Sequence, residues 1–138
     1  MKPLFRAKAL SGEWVQGNFI HSKRFAGCFN EYRIYDRDTG MEHDVDPETV
    51  GQFTGKDDMN GCKIFDGDII STFHFTSNGK DYCLKHIVKW DESKHAFIAV
   101  SGASKNLETG NGTCFLYINL KQQSPQVIGN IHDNPELL

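Results

Sequence analysis

No stretch of this 138-residue chain keeps apolar residues on a 3.6-residue period for three turns, while many short runs alternate apolar and polar side chains. That combination argues against a helical bundle and for sheets, because successive side chains of a strand point to opposite faces. The clearest run is Tyr82–Trp90. It sets Tyr82, Leu84, His86, Val88 and Trp90 on one face and Cys83, Lys85, Ile87 and Lys89 on the other, the pattern of a half-buried strand. Ile69–Phe75 alternates in the same way, with Ile69, Phe73 and Phe75 against Thr72 and His74. Two further runs align Cys114, Leu116, Ile118 and Leu120, and Ala96, Ile98 and Val100.

Turn chemistry separates these runs. Asp36-Arg37-Asp38-Thr39-Gly40 lies between Glu31–Tyr35 and Met41–Val45 and predicts a hairpin. Asn78-Gly79 predicts a second hairpin, between Ile69–Phe75 and Tyr82–Trp90. Asn60-Gly61 and Asp66-Gly67 mark two more turns, Asp91–Lys94 connects Trp90 to His95–Val100, and Ser101–Gly112 reads as an exposed loop. The one helix signal is Asp46-Pro47-Glu48-Thr49, a capping residue followed by proline and an acid, which Gly51 stops after a single turn. The expected fold is mainly β with little helix: a small SH3-like barrel or sandwich elaborated by an N-terminal hairpin region. Its strand after Asp66-Gly67 is analogous to the strand that opens many such barrels. One domain over 1–138 is expected, with sub-regions at 1–55 and 56–138.

Composition narrows the function classes. With 15 basic and 18 acidic residues the net charge is -3, so the chain has no general attraction to nucleic acid or anionic lipid. The longest apolar runs, Ala96–Val100 and Cys114–Ile118, are far shorter than the about 20 residues a membrane helix needs. Lys2, Arg6 and Lys8 interrupt any signal-peptide core, which points to the cytoplasm. Cys28, Cys62, Cys83 and Cys114 form no C-x-x-C pair and are expected to be small buried hydrophobes.

Candidate sites are few. Asp57, Asp58, Asp66 and Asp68 crowd one segment and could hold a hard cation, but their spacing lacks the pattern of a calcium loop and fits turn chemistry better. His74 and His86 could face each other across the Asn78-Gly79 hairpin as part of a metal site, with no third ligand evident. Lys2, Arg6, Lys8, His21, Lys23 and Arg24, interleaved with Phe19, Phe25 and Phe29, could form a surface for single-stranded nucleic acid. Nearby Glu13 and Glu31 weigh against it. Nucleophile elbows and phosphate-binding glycine loops are absent from the sequence. No catalytic, cofactor-binding or metal-binding residue is therefore assigned, and no enzyme activity is expected. The apolar Leu137-Leu138 pair is expected to pack back on the domain or to dock on a second copy of the chain.

Three segments carry a family resemblance: Val45–Gly55, Lys56–Ile70 and Val127–Leu138, the last reading VIGNIHDNPELL. Together with Phe5–Lys8, Gly12–Gly17 and Val88–Asp91, they resemble the YopX family of phage and prophage proteins over essentially the whole chain. Departures are small. Asp57 follows Lys56 directly where the family usually has Leu-Lys before the Asp, Cys62 stands in place of a Lys, and His132 in place of a Tyr. The resemblance implies a mainly β fold, a phage or prophage origin and no established biochemistry, and it supplies no catalytic residues. The function expected is a non-enzymatic binding or assembly protein that acts with copies of itself and with a phage or host protein. A nucleic-acid-binding small-barrel module is the alternative, and a metal-dependent hydrolase using Asp66 and Asp68 a more distant one.

Overall fold

The computed structural model describes residues 3–22, 31–74, 77–101, 113–114 and 124–138. The chain divides into two compact units, Met1–Phe53 and Thr54–Leu138.

The first unit starts with four strands: β1 (Phe5–Lys8), β2 (Trp14–His21), β3 (Tyr32–Tyr35) and β4 (Glu42–Asp44). They pair antiparallel in chain order, and β5 (Gly51–Asp57) returns along the free side of β1. The predicted hairpin at residues 36–40 joins β3 to β4. Asp36 Oδ1 accepts from the backbone N–H groups of Asp38 and Thr39, and Gly40 supplies the positive φ, +73°, that the turn needs. The predicted helix start is a single 3-10 turn, Pro47–Thr49, capped by Asp46 Oδ1 on the Glu48 N–H at 3.0 Å. Strand register and alternation put Phe5, Ala7, Val15, Phe19 and Ile34 on one face. There Ala7, Ile34 and Val45 are fully buried, ringed by the half-buried Phe5, Val15, Phe19, Tyr32 and Val50. Gly17 is fixed by close approach, since a Cβ there would sit 1.8 Å from the Tyr35 carbonyl oxygen.

In the second unit, β6 (Lys63–Phe65) runs beside β5, and five more strands make a separate antiparallel sheet. These are β7 (Asp68–His74), β8 (Tyr82–Asp91), β9 (Ala96–Ser101), β10 (Thr113–Cys114) and β11 (Gln126–Asn130), in the order β10-β9-β8-β7-β11. Asn78-Gly79 turns β7 into β8 as predicted, with Gly79 at φ +77°. Asp91 organises the turn into β9 by accepting from the Ser93 hydroxyl at 2.6 Å and from the Ser93 and Lys94 N–H groups. Asp66-Gly67 is a turn too, but it carries the chain from one sheet into the other, because β6 and β7 are not paired. Of the run predicted at Cys114–Leu120, residues 113–114 are strand and 115–120 lie outside the described residues, as does most of the Ser101–Gly112 loop.

The expected one-sided burial of β8 is corrected. Ile87 and Val88 are both buried, while Tyr82, Leu84 and Trp90 are exposed. Ile69 and Ile70 of β7, and Ile98, Ala99 and Val100 of β9, are likewise buried in succession. Consecutive buried residues in a strand mean that both faces of the sheet are covered at its centre, so alternation stops predicting exposure there. On one face Ile70, Val88 and Ala99 pack with Ile64 of β6, with Phe97 and Val127 at the margin. The fold is mainly β, with two open antiparallel sheets. Among the described residues there is no closed barrel, and no helix is long and apolar enough to cross a membrane.

Candidate functional site

The mid-chain and C-terminal segments that carry the resemblance meet in the second unit. Asp58, only 7% exposed, follows β5 at the head of the Asn60-Gly61 turn. Its Oδ1 accepts from the N–H groups of Asn60 (2.8 Å) and Cys62 (2.9 Å), which shapes the turn. Its Oδ2 accepts from the Val127 N–H at 3.0 Å, reaching across 69 residues to β11. Burial opposes the charge, but the N–H donors of Val127, Cys62 and Asn60 outweigh it and hold the carboxyl below its ordinary value of 3.8. The backbone adds a parallel link, from Met59 N–H to the Pro125 carbonyl at 2.9 Å.

A second junction forms at Asp66-Gly67. The Gly67 N–H donates to the Val88 carbonyl (2.8 Å), and the Gly67 carbonyl accepts from the Ile131 N–H (2.9 Å). Asp68, almost wholly buried, accepts from the Phe65 N–H at 2.8 Å. Beyond β11 the chain locks onto itself: Asn130 Oδ1 accepts from the His132 and Asp133 N–H groups, and Asn134 Oδ1 accepts from the Asn130 N–H at 3.2 Å. Gly129 leaves room for this, since a Cβ there would lie 2.6 Å from Asn134 Oδ1. The two motifs are thus halves of one hydrogen-bonded junction, in which carboxylates and amides serve backbone N–H groups.

The four acids do not converge. Asp57 is exposed on β5, Asp66 sits in the corner turn, and Asp58 and Asp68 are directed to separate backbone donors. Among the described residues no three His, Cys, Asp or Glu side chains are grouped to hold a metal. The proposed histidine pairing is corrected by the register. His74 lies opposite Tyr82 and His86 opposite Ile70, four residues further along β7, or about 13 Å. His86 Nε2 instead shares a 2.9 Å hydrogen bond with Thr72 Oγ1. Cys62 and Cys83 are exposed free thiols, not the buried hydrophobes expected, because one lies in a turn and the other near the tip of the β7–β8 hairpin. Cys28 lies outside the described residues.

The basic and aromatic residues of the N-terminal region separate across the sheet. Alternation places Arg6 and Lys8 on the face opposite Phe19 and His21. Arg6 lies over the Trp14 ring, 5.0 Å from its centroid. On the other face the rings of Phe5, Phe19, Tyr32 and His21 form a row, with successive centroids 5.8, 6.2 and 4.4 Å apart. Lys2, Lys23, Arg24, Phe25 and Phe29 lie outside the described residues. Leu138 is 46% exposed after a closing 3-10 turn, Pro135–Leu137, and Lys85 Nζ donates to the Leu137 carbonyl at 3.0 Å.

One feature escapes a reading by sequence. Pro3, Phe5, Asn18, Phe19 and Arg37 line a cleft of about 380 Å³ in the first unit. Arg37 comes from the β3–β4 hairpin and is brought to Phe5 and Phe19 only by strand pairing.

Fold and junctions define an all-β protein of two antiparallel sheets whose buried acids organise backbone. The chain belongs to the YopX family: the family model described as YopX protein matches residues 5–138. No curated protein matches the sequence. The fold is similar to that of the crystal structure of protein EF1440 from Enterococcus faecalis. The two share 23% identity at a TM-score of 0.53, over 100% of this chain and 99% of that one.

Proposed function

We propose that this YopX-family chain is a non-enzymatic binding and assembly protein of phage or prophage origin, working in the bacterial cytoplasm through self-association and contact with a phage or host protein. The observation that supports this reading is the outer part of β8. Tyr82 and Leu84, alternate residues on one sheet face, are 47% and 38% exposed. Trp90, on the same face at the far end of the strand, is 40% exposed and packs edge-on against Phe97 at 5.1 Å. Val88, between Leu84 and Trp90, is buried under β6, so the surface suited to association is the outer apolar pair Tyr82 and Leu84. Sedimentation velocity at micromolar concentration tests the self-association. The expected result is a mass above one chain for the native protein and one chain for Leu84→Arg, whose exposed position tolerates the change; a native mass of one chain overturns it. Recovery of tagged protein from infected cells with and without nuclease then separates a protein partner, which survives the treatment, from nucleic acid, which does not.

A further inference from the structure

We infer that the cleft of the first unit is a binding site for a small aromatic anion, a flat ring system bearing one carboxylate, sulfonate or phosphate group. The site is distinct from the β8 surface and stands independently of the assembly reading. Its volume, about 380 Å³, falls within the range of small-molecule pockets, about 300–1,000 Å³. Its floor is aromatic: Phe5 and Phe19 lie 5.8 Å apart at 43°, a tilted pair against which a third ring can stack. Among the described residues its lining includes one cation, Arg37, and no acid.

That cation is held in place. Arg37 Nε donates to Asn18 Oδ1 at 2.5 Å, and Nη2 donates to the Pro3 carbonyl. Two of the five guanidinium N–H groups fix the plane, and the others remain for a planar anion. Among the described residues neither flanking acid, Asp36 or Asp38, forms an ion pair with it, and Asp36 Oδ1 accepts from the Asp38 and Thr39 N–H groups of its own turn. Ring floor and fixed guanidinium are complementary to the two ends of an aryl acid.

The probe is 1-anilinonaphthalene-8-sulfonate, with neutral N-phenyl-1-naphthylamine beside it. Fluorescence titration gives affinities, and amide chemical shifts locate the site. Saturable binding of the sulfonate is expected, with shifts at Phe5, Asn18, Phe19 and Arg37. Arg37→Met, an exposed turn position, is expected to weaken the sulfonate about fivefold, the scale of an exposed charge pair, while changing the neutral probe less than about twofold. Shifts that map elsewhere, an unchanged sulfonate affinity in Arg37→Met, or equal loss of both probes would overturn the inference. Equal loss would mean that the guanidinium shapes the cleft and reads no charge.

Discussion

The first unit builds its sheet from strands that are neighbours in the chain, whereas the second completes its sheet with a strand from the far end. In the first, β1 to β4 pair in chain order, and only β5, which runs on past Phe53, returns to β1. In the second, β11 takes the outer place beside β7 and is secured by Asp58, 69 residues earlier in the chain. The burial differs as well. One face of the first sheet carries the core of Ala7, Ile34 and Val45, while the centre of the second is buried on both faces. Local pairing makes a sheet whose stability is spread over its hairpins. A sheet closed from a distance concentrates it in a few junction residues, where one substitution removes several hydrogen bonds at once.

The largest effect is therefore expected at Asp58. Asp58→Ala leaves the N–H groups of Asn60, Cys62 and Val127 without their acceptor and should cost about 4 kcal/mol, read by urea unfolding. Hydrogen exchange sharpens the contrast. Protection of the Val127 amide should fall while that of Ile34, in the first unit, holds; equal losses would show that the units unfold as one. Gly17→Ala is the matching test in the first unit. Its Cβ meets the Tyr35 carbonyl oxygen, a backbone atom that cannot move aside alone, so about 3 kcal/mol should be lost, with Ile34 now the amide that exchanges faster.

Acid should act on the second unit through the same residue. The folded Asp58 carboxyl titrates below the ordinary 3.8 that applies to the unfolded chain. Its contribution is complete above that value and is lost as pH falls through it toward the folded pKa. A thermal-melt series from neutral to acid pH should show a steeper loss for the native protein than for Asp58→Asn, and parallel curves would count against the assignment. The smallest effect is expected for Thr72→Val, which removes the hydroxyl from the buried His86 contact with little change of shape. About 1 kcal/mol should go, measured by the same urea titration.

Much of this architecture is legible from residues alone. Asx-Gly dipeptides marked the turns at Asn60-Gly61, Asp66-Gly67 and Asn78-Gly79, and Asp46-Pro47 marked the single helical turn, because backbone sign and local hydrogen bonding depend on neighbours in sequence. The prediction that Asp58 and Asp68 serve turn backbone held for the same reason. Exposure was less legible. Leu84 and Val88 look alike in an alternating strand, yet one is 38% exposed and the other fully buried, since only the neighbouring β6 and β9 decide which stretch of β8 is covered. At Asp66-Gly67 the residues marked a turn, and only the pairing partners showed that the chain changes sheet there.

By itself the sequence determined the mainly β class, the turn positions, the acids that shape turns and the family, all of which rest on local geometry or on whole motifs. The tertiary structure decided which motifs meet, how the histidines and the basic residues separate, and how Arg37 comes to line one cleft with Phe5 and Phe19. Those outcomes depend on strand order and register, which are set by how the whole chain buries its apolar surface and pairs its backbone at once, and no local run of residues contains that information.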